Sequence, residues 1–314
     1  MPQKPTNFKH SFTRRCHNHN YRAPFIYHII LSKADSCEPF GFVKGDARIP
    51  PGTPGCAYIE LSNLGKIIEK ALKELGNELE IIQIYQYCIM PDHVHILLRV
   101  TDWSEMHLGF YITALKGKAR ESYNSLTGSE LSSKDIFKPN YCDKPLTRRR
   151  SLDGLFRYIR ENPHRLAMRR RYPQFFQRAR NVQIGDRLCE AYGNLFLLRN
   201  PDKAAVKISR RDSPEAVAAK TARWLDEASR GTVLVSPFIS PREKEVRAKA
   251  EARGACIILI IHEAFPDRFK PSDHDFSLCC AGRLLILSLG HAPKTPLRRE
   301  GCLAMNALAA EIAS

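Results

Sequence analysis

ELEIIQIYQYCIMPDHVHILLRV, Glu78 to Val100, is the stretch on which the fold turns. It is rich in β-branched and aromatic residues up to Met90, breaks at Pro91-Asp92, and resumes as HVHILLRV. Two such runs on either side of a Pro-Asp turn predict an antiparallel hairpin. Upstream, FIYHIILS, Phe25 to Ser32, predicts a further strand. Leu61, Leu64, Ile67, Ile68, Ala71, Leu72 and Leu75 recur at helical spacing, and Gly76-Asn77 punctuates that helix. Pro39 to Gly55, rich in Gly and Pro, reads as an excursion loop. Downstream, a helix is expected from about Ser104 to Tyr123, an extended piece from Ile136 to Leu146, and a helix from Ser151 to Glu161. Ser151 is the expected N-cap of the last, with Asp153 in its first turn. The order is strand, helix, two strands, helix, strand, helix. It predicts an α+β domain: one antiparallel sheet with helices on a face.

Beyond residue 180 the pattern changes. Residues 181–212 read as a connector with some structure of its own. Ser213 to Ser229 is amphipathic, Thr232 to Ser236 is a short apolar strand, and PREKEVRAKAEARG is a charged helix that closes at Gly254. ACIILII and LLILSL are fully apolar strands. Apolar strands alternating with helices predict parallel βαβ units buried on both faces. The expected organisation is a first domain over 1–180, the connector over 181–212, and a smaller α/β domain over 213–314.

The chain has 314 residues, 43% hydrophobic and 26% charged, which suits core-forming domains and excludes wholesale disorder. Its apolar runs fall far short of the ~20 residues that cross a bilayer. MPQKPTNFKH carries no apolar segment, so a cytoplasmic protein with no membrane partner is expected. Ten cysteines form no C-x-x-C pair, which predicts reduced thiols and no structural zinc. The net charge is +16, and residues 144–180 hold twelve cations against Asp153 and Glu161 alone. A cationic stretch of that density suits a polyphosphate partner, although basic surfaces also occur on proteins that bind no nucleic acid.

Two local patterns carry chemistry. His93 and His95 sit at i and i+2 of a strand and share one side, so both imidazoles can reach one divalent ion. By itself H-x-H is weak evidence, and His17-Asn18-His19 repeats the spacing in a polar segment without a strand. Tyr158 and Asn162 are four apart on one helical face. A tyrosine beside a metal and arginines can attack a phosphodiester, and it can equally be a half-buried packing residue.

MPDHVHILL followed by RYIRENPHR resembles the HUH family of single-tyrosine transposases, and within it the REP-associated relatives of bacterial insertion-sequence transposases. The resemblance covers about residues 20 to 175. It implies a ferredoxin-like antiparallel sheet with helices. It further implies that His93 and His95 bind a metal, Mg2+ or Mn2+, that Asn162 is a third ligand, and that Tyr158 is the nucleophile. Tyr123 and Tyr141 match no catalytic position. The implied activity is cleavage and rejoining of single-stranded DNA through a covalent 5′-phosphotyrosine, without ATP. The implied partner is hairpin-forming single-stranded DNA, gripped by Arg148, Arg149, Arg150, Arg157, Arg165, Arg169 and Arg170, in a nucleoid-associated and possible homodimeric protein. GTVLVSPFIS has a faint similarity to Rossmann-like domains of the DNA-processing type, though no G-x-G-x-x-G is present. Two alternatives stay open from the residues: a domesticated DNA-hairpin nuclease, and a non-enzymatic nucleic-acid-binding protein in which His93, His95 and Tyr158 are structural.

Overall fold

A computed structural model describes residues 19–128, 130–146, 152–267, 269–292 and 296–314. The chain divides into two units between Ala167 and Met168.

The first unit begins with β1 (Phe25–Ser32), β2 (Gly41–Lys44), β3 (Tyr58–Leu61) and α1 (Asn63–Glu78). β4 (Ile82–Ile89), β5 (His93–Val100), α2 (Leu108–Thr127), the single-turn α3 (Ser133–Ile136), β6 (Cys142–Pro145) and α4 (Leu152–Arg160) follow. The main sheet has the order β4-β5-β1-β6, and every neighbouring pair is antiparallel. With α1 and α2 as the crossovers, this is the ferredoxin-like β-α-β-β-α-β arrangement.

Period-two alternation sorts this sheet into two faces. Val94, Ile96, Leu98 and Val100 of β5 join Tyr27, Ile29 and Leu31 of β1 in a core with Leu64, Ile68, Leu72, Ile112 and Leu115. The opposite face carries His28, His93, His95 and Leu97, and α4 lies over it through Leu155 and Ile159. A bulge between Ile84 and Gln86 re-phases β4. Ile82 and Ile84 before it and Tyr87 and Ile89 after it all pack with the core.

The excursion expected over Pro39 to Gly55 is partly structured, because β2 pairs with β3 as a separate two-stranded ribbon. Its short strands sit among Gly and Pro, which hid them. Phe40 anchors the ribbon, its N–H donating to the Pro91 carbonyl at 3.0 Å. Gly65 is required beside it, because a Cβ there would stand 1.9 Å from the Phe40 carbonyl oxygen. α1 runs through Gly76-Asn77 to Glu78. α2 starts at Leu108 and not near Ser104, because His107 is its cap and accepts from the Gly109 N–H at 3.0 Å. The expected cap Ser151 lies outside the described residues.

α5 (Asn162–Arg171) contains the division. The second unit continues with β7 (Gln177–Ile184), β8 (Arg187–Gly193), β9 (Lys203–Ala205), α6 (Pro214–Ser229), β10 (Val233–Ser236), α7 (Pro241–Ala252), β11 (Ile257–Glu263), α8 (Asp273–Cys280), β12 (Leu284–His291) and α9 (Arg299–Ala313). Its sheet has the order β7-β8-β12-β11-β10-β9. β9 to β12 are parallel, and β8 and β7 are antiparallel additions. One face packs on Trp224, Leu225, Val246 and Leu278. The other packs on Met305, Leu308 and Ile312 of α9.

The stretch 181–212 is therefore no connector. It supplies β8 and β9 and the end of β7 to this sheet. β7 is an edge strand with exposed polar residues, and β9 is only three residues long, so neither shows a buried apolar run. The parallel strands follow one another across the sheet without the reversal of a doubly wound fold. Antiparallel strands occupy the place where a second half would continue.

Candidate active site

β5 delivers the two histidines because its core face is fully apolar, which fixes its register. Ser32 stands opposite His93, Ile30 opposite His95, and His28 opposite Leu97. The Nε2 atoms of His93 and His95 face each other at 2.9 Å. Nδ1 of His93 lies 2.7 Å from Oδ1 of Asp92. Nδ1 of His95 lies 2.9 Å from Nε2 of His28. His95 is fully buried and His28 is 3% exposed, whereas the His93 side chain retains 25%. The pair is thus a buried ring and a rim ring, not two side chains in an open pocket.

The donor set bears on whether a cation fits. If each Nδ1 holds its proton toward its acceptor, two bare nitrogens confront each other at 2.9 Å. Such an arrangement is favourable only with a proton or a cation between them. Among the described residues no three His, Cys, Asp or Glu side chains converge as a metal cage. A third ligand would have to be an amide, a hydroxyl or the substrate itself.

α4 brings Tyr158 to the same face. Leu155 and Ile159 bury against Leu97, and each such burial contributes about 1.5–3 kcal/mol. Tyr158, between them on the helix, lies edge-on to His95 with ring centroids 5.6 Å apart and to His28 at 6.0 Å. The Asn162 Nδ2 donates to the Tyr158 carbonyl at 2.8 Å, which leaves Oδ1 as its ligand-capable atom.

The expected arginines separate. Arg157 and Arg170 are exposed. Arg165 is only 8% exposed, with its guanidinium 5.4 Å from the Tyr158 ring centre, so it lies against that ring and not on an open backbone-gripping surface. Arg169 is half-buried against Phe276 and Phe176, at 5.4 and 6.0 Å. A basic run in sequence does not disclose which of its members turn inward. Arg148, Arg149 and Arg150 lie outside the described residues.

The other tyrosines are on the wrong side of the sheet. Tyr141 belongs to the core, and Tyr123 packs against it while donating to Glu38 at 3.3 Å. His19 sits among aromatic rings, its Nε2 2.8 Å from the Tyr27 hydroxyl, and burial lowers its pKa. His17 lies outside the described residues. Sequence reasoning missed His28. Its only signal was a histidine within an apolar strand, and nothing local linked it to a residue 67 positions away.

These features define a ferredoxin-like domain with a histidine pair and a tyrosine gathered on the face of its sheet away from the main core. Residues 60–162, about a third of the chain, match the family model described as Transposase IS200 like. Comparison of the chain with curated proteins gives no match. Among solved structures, a REP-associated tyrosine transposase bound to a REP hairpin is 8% identical, over 46% of this chain and 68% of its own, with a TM-score of 0.31. A protein of Deinococcus radiodurans described as a transposase is 17% identical, over 48% and 97%, at 0.29. DNA processing protein A of Helicobacter pylori is 21% identical, over 44% and 67%, at 0.33. Likenesses this distant bear on neither activity nor partner.

Proposed function

We propose that the chain is a transposase that cleaves and rejoins single-stranded DNA with Tyr158 as nucleophile, acting on strands that fold into hairpins. The observation that supports this most is the placement of the Tyr158 ring 5.6 Å from His95, whose Nε2 faces that of His93. The phenolic oxygen attacks phosphorus, forming a P–O bond to tyrosine and breaking the bond to the 3′ oxygen. The phenolic proton passes to solvent, and the departing 3′ oxygen takes up a proton to become a free hydroxyl. The reverse step rejoins a strand without ATP, since the phosphodiester energy is kept in the phosphotyrosine.

A free phenol is a weak nucleophile at neutral pH. The guanidinium of Arg165, 5.4 Å from the ring centre, is placed to stabilise the charge that develops on the phosphate. Mg2+ or Mn2+, held by His93, His95 and Oδ1 of Asn162, would supply Lewis acidity toward the scissile phosphate. Arg157 and Arg170, exposed on α4 and α5, are suited to the phosphate backbone. Full burial of His95 and partial burial of His93 limit water at the site.

The test is denaturing electrophoresis of protein incubated with labelled single-stranded DNA and Mn2+. Wild type should give a slower covalent band. Tyr158→Phe should lose the band and keep DNA binding, because the ring and its packing remain. A band that persists in Tyr158→Phe rejects this nucleophile. Its absence from wild type in the presence of either metal would favour a binding protein over an enzyme.

A further inference from the structure

We infer that His28 is a positioning residue that orients the buried metal-binding histidine. This rests on the reading of His93 and His95 as metal ligands. His28 precedes the segment matched by the family model, and no motif points to it. Yet it is 3% exposed, stands diagonally across β1 and β5 from His95, and places its Nε2 2.9 Å from Nδ1 of His95. The two rings stack with centroids 5.1 Å apart at 25°. Burying a polar nitrogen is costly unless it is bonded, and Nε2 of His28 finds its partner in His95. An apolar residue would fill this place beside Leu97 and α4 more simply.

The contact decides which nitrogen of His95 carries the proton. When Nδ1–H donates to Nε2 of His28, the Nε2 lone pair of His95 is bare and aimed at Nε2 of His93. Without that acceptor the proton can move to Nε2 of His95. The ligand pair would then close on itself as an N–H···N hydrogen bond, and one lone pair would be lost to a cation. A ligating histidine held through its other nitrogen is a recurrent device in metal sites.

Asp92 has the matching position at His93, with Oδ1 2.7 Å from Nδ1. The two supports differ in how replaceable they are. The Asp92 side chain is 73% exposed, so water can take its place. His95 is fully buried, and water cannot readily replace His28. His28 is also fixed by pairing on both sides of β1, opposite Leu97 of β5 and Lys144 of β6. It lies 6.0 Å edge-on to Tyr158, so the ring that orients the ligand also borders the nucleophile.

The experiment is Mn2+ titration of the full chain, followed by the electron paramagnetic resonance of free Mn2+. His28→Phe keeps ring and volume but removes the acceptor, and should weaken Mn2+ binding about 10- to 100-fold, whereas His28→Gln, which keeps an acceptor oxygen, should stay within about threefold of wild type. Asp92→Ala should weaken binding less than His28→Phe. A purely packing role predicts the reverse, with Phe binding as wild type and Gln impaired, and either that result or equal weakening by both overturns the inference. If His28→Phe does not fold, nitrogen-15 spectra of the wild-type imidazoles decide the matter. In the Mg2+-loaded protein a bare Nε2 on His28, accepting from a protonated Nδ1 of His95, is expected, and a His28 whose Nε2 carries the proton overturns the role. A wild-type chain that binds no Mn2+ would overturn the metal reading and this role with it. Wild-type binding that His28→Phe leaves intact would overturn the role alone.

Discussion

His93 and His95 share a strand face, but their substitutions should behave differently. His93 lies at the rim, so His93→Ala should change stability by no more than about 0.5 kcal/mol. His95 is fully buried between His28 and His93, and His95→Ala should cost about 1–3 kcal/mol through the polar groups it leaves without partners. Both variants should lose Mn2+-dependent cutting. Urea unfolding with a cleavage assay checks this, and a His95→Ala protein as stable as wild type would contradict the buried network. What the sequence disclosed here follows from distance along the chain. His93 and His95 are one strand pleat apart and Tyr158 and Asn162 four residues apart, so a short window exposes both pairs. The single helix expected across Tyr158 and Asn162 nevertheless breaks at Glu161, with α4 ending at Arg160 and Asn162 opening α5. His28 meets His95 only through the pairing of β1 with β5, which no short window contains. Arg165 was legible as a charge but not as a buried one, because burial of a helical arginine depends on what covers it.

α4 is held to the sheet by a small apolar contact, which makes the position of Tyr158 sensitive to it. Ile159→Ala should cost about 2–5 kcal/mol and reduce adduct formation. Leu115→Ala, in the core on the opposite face, should cost a similar amount and leave adduct formation unchanged well below the melting temperature. Equal loss of adduct in both would show that global stability, and not the seat of α4, controls the tyrosine. α2 offers a second element-level test. Lys116 is buried and donates to the carbonyls of Lys138, Pro139 and Asn140 at 2.7, 3.3 and 3.4 Å, and burial pushes its pKa down to about 8 from 10.5. Between those two values the unfolded chain holds the extra proton, so stability should rise with pH across that window and fall as pH drops through 8. Urea midpoints from pH 8 to 10.5 should therefore climb in wild type and climb less in Lys116→Met. An equal slope in both would assign the effect to other groups. The longer elements were legible because their periods are regular. The β2–β3 ribbon and β7 to β9 were not, since a four-residue strand, an exposed edge and a three-residue strand contribute almost no periodic signal.

Across the whole chain, the proposed chemistry and the charge divide unevenly between the two units. His28, His93, His95, Tyr158, Asn162 and Arg165 all precede the division at Ala167, and the first unit has a core of its own. A fragment ending after α5 should therefore retain Mn2+-dependent cleavage, and a folded fragment that binds DNA without cutting would assign a catalytic contribution to the second unit. The excess of cations predicts salt-sensitive binding to single strands, with the logarithmic slope becoming shallower by about 0.7 for each phosphate contact removed. Arg157→Ala and Arg170→Ala should each flatten the slope by that amount, while Arg165→Ala, turned inward on Tyr158, should leave it unchanged and reduce adduct formation. A flattened slope in Arg165→Ala would return that residue to the DNA surface. The alternation of β5 has an evolutionary consequence of its own. Odd positions from His93 to Leu97 line the face that carries the candidate site and the seat of α4, and even positions from Val94 to Val100 hold the core. A one-codon insertion or deletion inside this strand reverses that parity, turning imidazoles toward the core and valines toward the face that carries Tyr158. Such a lineage would lose activity and solubility in one event, so length change in β5 is purged at once. The loop between Lys44 and Tyr58, which obeys no parity, is left as the place where relatives can diverge in length.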